Sequence, residues 1–350
     1  MPESPPAASG MAALQYMFDM RHTALGSLGF RPPLDGEDLR HKIAVVTGGT
    51  GGIGLASAKA LAAAGATVHI VGRNTERGQL AAASSTVNND SGGGRIIFHQ
   101  MDLSSIAAAR TLQHELNLGK AKVDLLVQNL ACMPDEYDTT AEGHERTLAT
   151  NLLSFHTLFH TLRPSMAPGG RVISVVSAGM HLHSLSVAEL RKLDAPANKA
   201  SFDPVFAYCL THRARVLLTQ RWARDHPNLF IASVHPGWVE TEGLRSAKAM
   251  AGFYRLMRRT LRTAEKGADT IAWLASAGAP SKIQSGSYCW DRQMRRIDLR
   301  WSGTAVPESE VDELVAFLEH VSTSSSSSPR RRRSCSPPRA AKGAAPMPLV

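Results

Sequence analysis

Cysteine is scarce: four in 350 residues, at Cys132, Cys209, Cys289 and Cys335, with neither a CxxC pair nor the His-paired spacing of a metal site. That scarcity argues against a disulfide framework and a resident metal, and it suits reduced thiols inside a cell. No run of about 18 apolar residues occurs, so no membrane-spanning helix is predicted. The N-terminus lacks the basic and apolar regions of a secretory signal, and the final Pro348-Leu349-Val350 is not the peroxisomal Ser-Lys-Leu address. An intracellular, by default cytoplasmic, protein is expected. Acids are missing after Glu319, while Arg330, Arg331, Arg332, Arg333, Arg339 and Lys342 all lie beyond it. Without those six cations the formal charge of +9 falls to +3, too mild for a nucleic-acid-binding body.

What is present is the composition of a folded domain, 43% hydrophobic and 20% charged. From Lys42 the pattern alternates between short apolar strands and helical periods. Strands are predicted at 43–47, 67–71, 96–100, 125–128, 171–176 and 229–234, and helices at 53–64, 76–87, 106–116, 144–163 and 208–225. Strands apolar on both faces and separated by helices predict α/β architecture: a single Rossmann-type, doubly wound parallel sheet with helices on both faces, over residues 41–321. Helical periods follow at 242–276 and 308–320, with a short last strand at 286–290. Residues 1–40 read as an extension with an amphipathic helix at 11–25. The Ser/Arg/Pro-rich stretch 322–350 reads as a disordered tail, since its composition buries too little apolar surface to offset ordering entropy. Its arginine cluster is open to three readings: an import signal, a nucleic-acid patch or a solvated appendage.

The densest chemical signal is Thr47-Gly48-Gly49-Thr50-Gly51-Gly52-Ile53-Gly54, directly after an apolar strand and opening an alanine-rich helix. Glycines let the chain turn tightly and bring backbone N–H groups against a pyrophosphate, so Gly48, Thr50, Gly52, Ile53 and Gly54 are candidate dinucleotide contacts. The second strand closes with Val71-Gly72-Arg73-Asn74, without the acid that would bond a ribose 2′-hydroxyl. Arg73 can pair with a 2′-phosphate instead, which favours NADP(H) over NAD(H); a solvated strand-end arginine is the bland alternative.

These features resemble the short-chain dehydrogenase/reductase family from about Lys42 to His320. The resemblance also rests on MDLSS at 101–105, AEGHERTLATNLL at 141–153, RVISVVSAGM at 171–180, HPGWVET at 235–241, GADT at 267–270 and the pair Asp291-Arg292. It implies hydride transfer between a nicotinamide and a carbonyl or alcohol carbon. Residue by residue, it gives Tyr208 the part of acid/base, Ser177 that of holding the reacting oxygen, and Asn151 that of supporting a water relay. Asp102 would contact the adenine, or else cap a helix. Asn129 lies in the turn beside the adenosine ribose, and Pro236, Gly237 and Thr241 match the loop bracketing the nicotinamide.

Two departures stand out. The family's YxxxK reads Tyr208-Cys209-Leu210-Thr211-His212, so His212 takes the lysine's place on the face of Tyr208. Arg213 points away, and Arg215 returns to that face a turn later. A neutral imidazole would do little for the tyrosine, whereas a protonated one would partly replace the ammonium. The family's Asn-Asn-Ala-Gly reads Gln128-Asn129-Leu130-Ala131, with two side chains larger than those they replace. Over 242–263, arginines alternate with apolar residues at helical spacing. Three readings stand: a lid over a lipophilic substrate, a peripheral contact with acidic lipid, or a solvated face. Nothing in the sequence sets an oligomeric state.

Overall fold

Runs such as Ile-Ala-Val-Val-Thr at 43–47 are buried on both faces, and that double burial places them inside a parallel sheet covered by helices. The computed structural model describes residues 38–84, 94–275, 283–299 and 303–324. Its sheet comprises β1 (Ile43–Thr47), β2 (Thr67–Gly72), β3 (Arg95–Gln100), β4 (Val123–Gln128), β5 (Met166–Val175), β6 (Phe230–Val234), β7 (Tyr288–Trp290) and β8 (Gln293–Arg295). The order is β3-β2-β1-β4-β5-β6-β7-β8, parallel throughout except for the final antiparallel pair. Chain direction across the sheet reverses between β1 and β4, and the loops leaving their carboxyl ends diverge there to form the crevice where such folds bind ligands.

One face is covered by α1 (Gly52–Ala63), its core including Leu61, Ile70, Val127, Ile173 and Ile271. The other is covered by α2 (Ile106–Glu115), α3 (Ser154–Leu162), α4 (Pro204–Asp225) and α5 (Glu308–Ser324), around Leu112, Leu152, Leu218 and Leu314. Phe159 stacks on Trp222 with ring centres 4.0 Å apart. Each fully buried large apolar side chain contributes about 1.5–3 kcal/mol. Arg213 lies on the side of α4 away from the crevice, as its sequence position implied. It is fully buried, paired with Asp298, and donates to the carbonyls of Ile297 (2.9 Å) and Thr304 (2.7 Å).

Several boundaries differ from expectation. The helix expected at 144–163 runs without a break from Arg146 to Leu162, with a π-helical turn at Ala149–Leu153 leading into α3. β8 was not anticipated, because its hairpin turns on Asp291 and Arg292, both left-handed (φ 51° and 56°) without a glycine to announce it. Two ion pairs hold that turn, Asp291 with Arg262 and Arg292 with Asp269. The terminal helix expected at 308–320 runs to Ser324, with Phe317, Leu318 and Val321 packed into the core. The helix expected at 11–25, the rest of the tail and Cys335 lie outside the described residues.

Five histidines, His69, His156, His181, His212 and His235, are buried, at most 6% exposed. Burial is the first cause holding each below its ordinary pKa: His69 and His181 at about 4, His156 and His235 at about 3, and His212 well below 6.5. The unfolded chain therefore takes up these protons first as pH falls. Stability is insensitive to these groups above about pH 6.5 and declines below it, by about 1.4 kcal/mol per pH unit for each histidine. Glu145, whose burial raises its pKa, acts in the opposite sense, while the less buried His99, His160, His183 and His226 add to the trend of the five. Denaturant midpoints should hold steady above about pH 6.5 and drop steeply toward pH 5. A flat midpoint over that range would contradict the buried, neutral state of these rings.

Candidate active site

β1 delivers the glycine loop to the crevice. Gly48 (φ 66°) donates to the Val71 carbonyl at 2.9 Å, and Gly52 (φ 51°) opens α1 in the left-handed region that favours glycine. The cap residue Gly51 provides no side-chain bond and the first turn of α1 has no acid, so no side chain there claims the helix's first N–H groups. A Cβ built on Gly51 would meet nothing within 4 Å, whereas one on Gly54 would fall 2.3 Å from the Gly48 carbonyl oxygen. An open, uncapped helix end resting on its own loop fits a pyrophosphate. Thr50 packs against Gly72, and Ile53 joins the core beside α1. Arg73 is exposed just after β2 and forms no ion pair with a described residue.

Asn129 and Leu130 both donate backbone N–H groups to Thr47 Oγ1 at 3.1 Å. The Asn129 amide also donates to the carbonyls of Thr47 (3.1 Å) and Gly48 (3.3 Å). Asn129 thus locks the glycine loop to the end of β4. The Leu130 side chain packs against the helix-side core. Asp102 accepts from the Ser104 N–H at 2.9 Å, while Ser105 is the residue that caps α2. Past β6 come Pro236 and Gly237 (φ 83°), then Thr241, which caps a short helix at Glu242–Ser246 and approaches Gly52. Arg77 pairs with Glu242 across the mouth of the cleft.

At the other end of the crevice, Ser177 lies near enough to Tyr208, half-buried on α4, to act on its phenol, and the Ser177 hydroxyl accepts from the Gly179 N–H at 3.2 Å. Burial pushes the Tyr208 phenol up to about 12, with Ser177 and Arg215 pulling the other way. The His212 ring lies against that of Tyr208, with centres 4.3 Å apart. Its Nδ1 accepts the Ser177 backbone N–H at 3.1 Å, so the hydrogen of the neutral ring sits on Nε2. Burial first, then Arg215 and His235, hold it uncharged, and of the two states considered for His212 the neutral one is realised. It positions Ser177. Asn151, fully buried on the π turn, accepts from the Cys132 N–H (2.8 Å) and donates to the Cys132 carbonyl (2.9 Å) and Thr211 Oγ1 (3.3 Å). Its side chain is committed to that loop, leaving only its backbone for a water relay. Arg215, absent from the sequence-derived site, is buried immediately behind; its place at i+7 from Tyr208 was the available signal.

The stretch left open between a lid, a lipid contact and a solvated face forms two short helices, Glu242–Ser246 and Ala251–Met257, with no residue buried in either. Phe253 packs edge-on to Trp238 (5.1 Å between ring centres), and the Tyr254 hydroxyl donates to Glu240 at 2.9 Å. Leu256 is 80% exposed between Arg255 and Arg258. Among the described residues no helix is long and apolar enough to cross a membrane, and no cluster of His, Cys, Asp or Glu is placed to hold a metal ion.

A family model described as short chain dehydrogenase matches residues 42–188. Dehydrogenase/reductase SDR family member 12 from Bos taurus is 34% identical over 286 residues, covering 79% of this chain and 85% of that protein. The chain belongs to the short-chain dehydrogenase/reductase family. Retinol dehydrogenase 12 from Homo sapiens is 29% identical, over 71% of this chain and 78% of that protein. Among solved structures, the short-chain dehydrogenase/reductase from Serratia marcescens BCRC 10948 is 26% identical with a TM-score of 0.54, covering 72% of this chain and 96% of that one. The chain is therefore an oxidoreductase of a family that uses nicotinamide dinucleotides.

Gly54→Ala tests the loop. The added methyl would force Gly48 away from α1, at a cost of about 1–3 kcal/mol. Calorimetric titration with NADPH should show affinity reduced at least about tenfold while the fold persists. Unchanged affinity would show that the loop does not cradle the dinucleotide.

Proposed function

We propose that this chain is an NADP(H)-dependent oxidoreductase that interconverts a lipophilic carbonyl compound and its alcohol. The observation that carries the reading is the placing of Ser177 and Tyr208 together past the carboxyl end of β5, beside the glycine-loop crevice, with His212 holding the Ser177 backbone and lying against the Tyr208 ring. When bound, the nicotinamide supplies or accepts the hydride. A carbonyl oxygen placed between the two hydroxyls takes a hydrogen bond from Ser177 and, on reduction, a proton from Tyr208. Tyr208 is protonated at neutral pH, the form needed to give the proton in the reducing direction. Exposed Arg73, with no acid at the end of β2, supports recognition of a 2′-phosphate. Trp238 and Phe253 offer an apolar wall to the substrate, in keeping with the resemblance to a retinol dehydrogenase. Leu256 with Arg255, Arg258 and Arg259 supports peripheral contact with acidic lipid.

A second reading is favoured by one observation, the uncharged His212 where the family has a lysine: a dinucleotide-binding member with weakened turnover. The full chain, assayed with NADPH and a panel of lipophilic aldehydes and ketones, separates the two. Turnover that falls at least about 100-fold in Tyr208→Phe supports the enzyme. A silent parent in which His212→Lys, alone or together with Arg215→Gln, restores turnover supports the weakened site. For the cofactor, Arg73→Asp should cost NADPH roughly 10- to 100-fold in affinity and leave NADH nearly unchanged. An unaltered preference would remove the NADP(H) assignment.

A further inference from the structure

Tyr208, His212 and Arg215 stand at i, i+4 and i+7 of the 22-residue helix α4, on one face. The middle position carries no charge. Arg215 is fully buried, donating from Nη1 to the Leu130 carbonyl at 3.1 Å and from Nη2 to the Gln128 carbonyl at 2.8 Å. Its guanidinium carbon lies 4.3 Å from the centre of the Phe155 ring. No carboxylate among the described residues pairs with it. Burial without such a partner pushes it down to about 9, still charged at neutral pH, and the one opposing influence is Tyr208. Burying an unpaired ion costs several kcal/mol, and the unneutralised charge then acts through a low-dielectric interior on whatever ionisable group faces it.

That group is Tyr208. Ser177, the thiols of Cys132 and Cys209, and Arg215 act on its hydroxyl; the His212 ring lies against the Tyr208 ring, with His235 behind. Arg215 is the cation among them. We infer that Arg215 places a fixed positive charge behind the Tyr208 hydroxyl, the part that the family resemblance gives to a lysine at position 212. The inference rests on the proposed catalytic use of Tyr208. It divides the lysine's work: the charge is retained one turn further along the helix, while the hydrogen bonds of the guanidinium go to the Gln128-Leu130 turn and not to a bound ribose. Arg215 is accordingly a positioning residue that acts through Tyr208.

The test replaces Tyr208 by 2,3,5-trifluorotyrosine, whose phenol is far more acidic than tyrosine's and so titrates where Arg215 keeps its charge and the protein stays folded. Fluorine NMR then follows that one phenol in the full chain without cofactor or substrate. Arg215→Gln keeps an N–H donor for the carbonyls and removes only the charge. It should raise the midpoint by about one pH unit, a tenfold change in proton affinity, and Arg215→Met should do the same. Arg215→Lys should leave it nearly in place, and His212→Lys added to Arg215→Gln should bring it back down. A folded Arg215→Gln with the parent's midpoint overturns the inference. So does a chain in which neither neutral variant folds, which would make Arg215 structural only. Because no turnover is measured, an inactive parent would count against the functional proposal without deciding this result.

Discussion

A guanidinium held in the interior on two peptide carbonyls is the interaction that joins the two halves of this site. Arg215 grips the carbonyls of Gln128 and Leu130. Between them, Asn129 bonds Thr47 and Gly48, so the glycine loop is fixed to the same turn. Helix α4 reaches the neighbouring strand end as well, through His212 to the Ser177 N–H and through Thr211 and Asn151 to the Cys132 loop. One buried helix therefore sets both the floor of the glycine-loop crevice and the positions of Ser177 and Tyr208. A shift of α4 would move the two together.

The two departures from the family pattern become parts of one arrangement in this light. Leu130 turns its side chain toward the core and offers its carbonyl to Arg215. His212, uncharged, spends its Nδ1 on the Ser177 backbone and leaves a cation to be supplied from elsewhere. A lysine at position 212 would compete with Arg215 for the same low-dielectric space, and two like charges buried there would repel strongly. The substitution at 212 and the arginine at 215 are thus physically compatible with each other in a way that lysine and arginine together are not.

Much of this was legible in the chain. Runs rich in β-branched and aliphatic residues at 43–47 and 67–71 lie within strands of the sheet, because burial on both faces leaves such runs little other use. The glycine loop was equally plain, since a strand before it and a helix after it restrict what so many glycines can do. The start of α4 at Pro204 was written in Asp203-Pro204, an N-cap followed by proline, and was read four residues late. Other features had no local signal. The π turn depends on Asn151 meeting Cys132 across the fold, and the β7–β8 turn depends on ion pairs made by residues far away in sequence. The weight of Arg215 was hidden for the same reason: an arginine on a helix face looks solvated until the strands that bury it are in place.

The central claim is that the glycine-loop crevice and the Ser177–Tyr208 pair form one working oxidoreductase site. The most direct measurement uses NADPH deuterated at the nicotinamide C4, a lipophilic aldehyde, and mass spectrometry of the alcohol formed. The account predicts deuterium on the carbinol carbon with the parent chain and none with Tyr208→Phe. NADPH that binds the parent while no label reaches any aldehyde or ketone of the panel would contradict it.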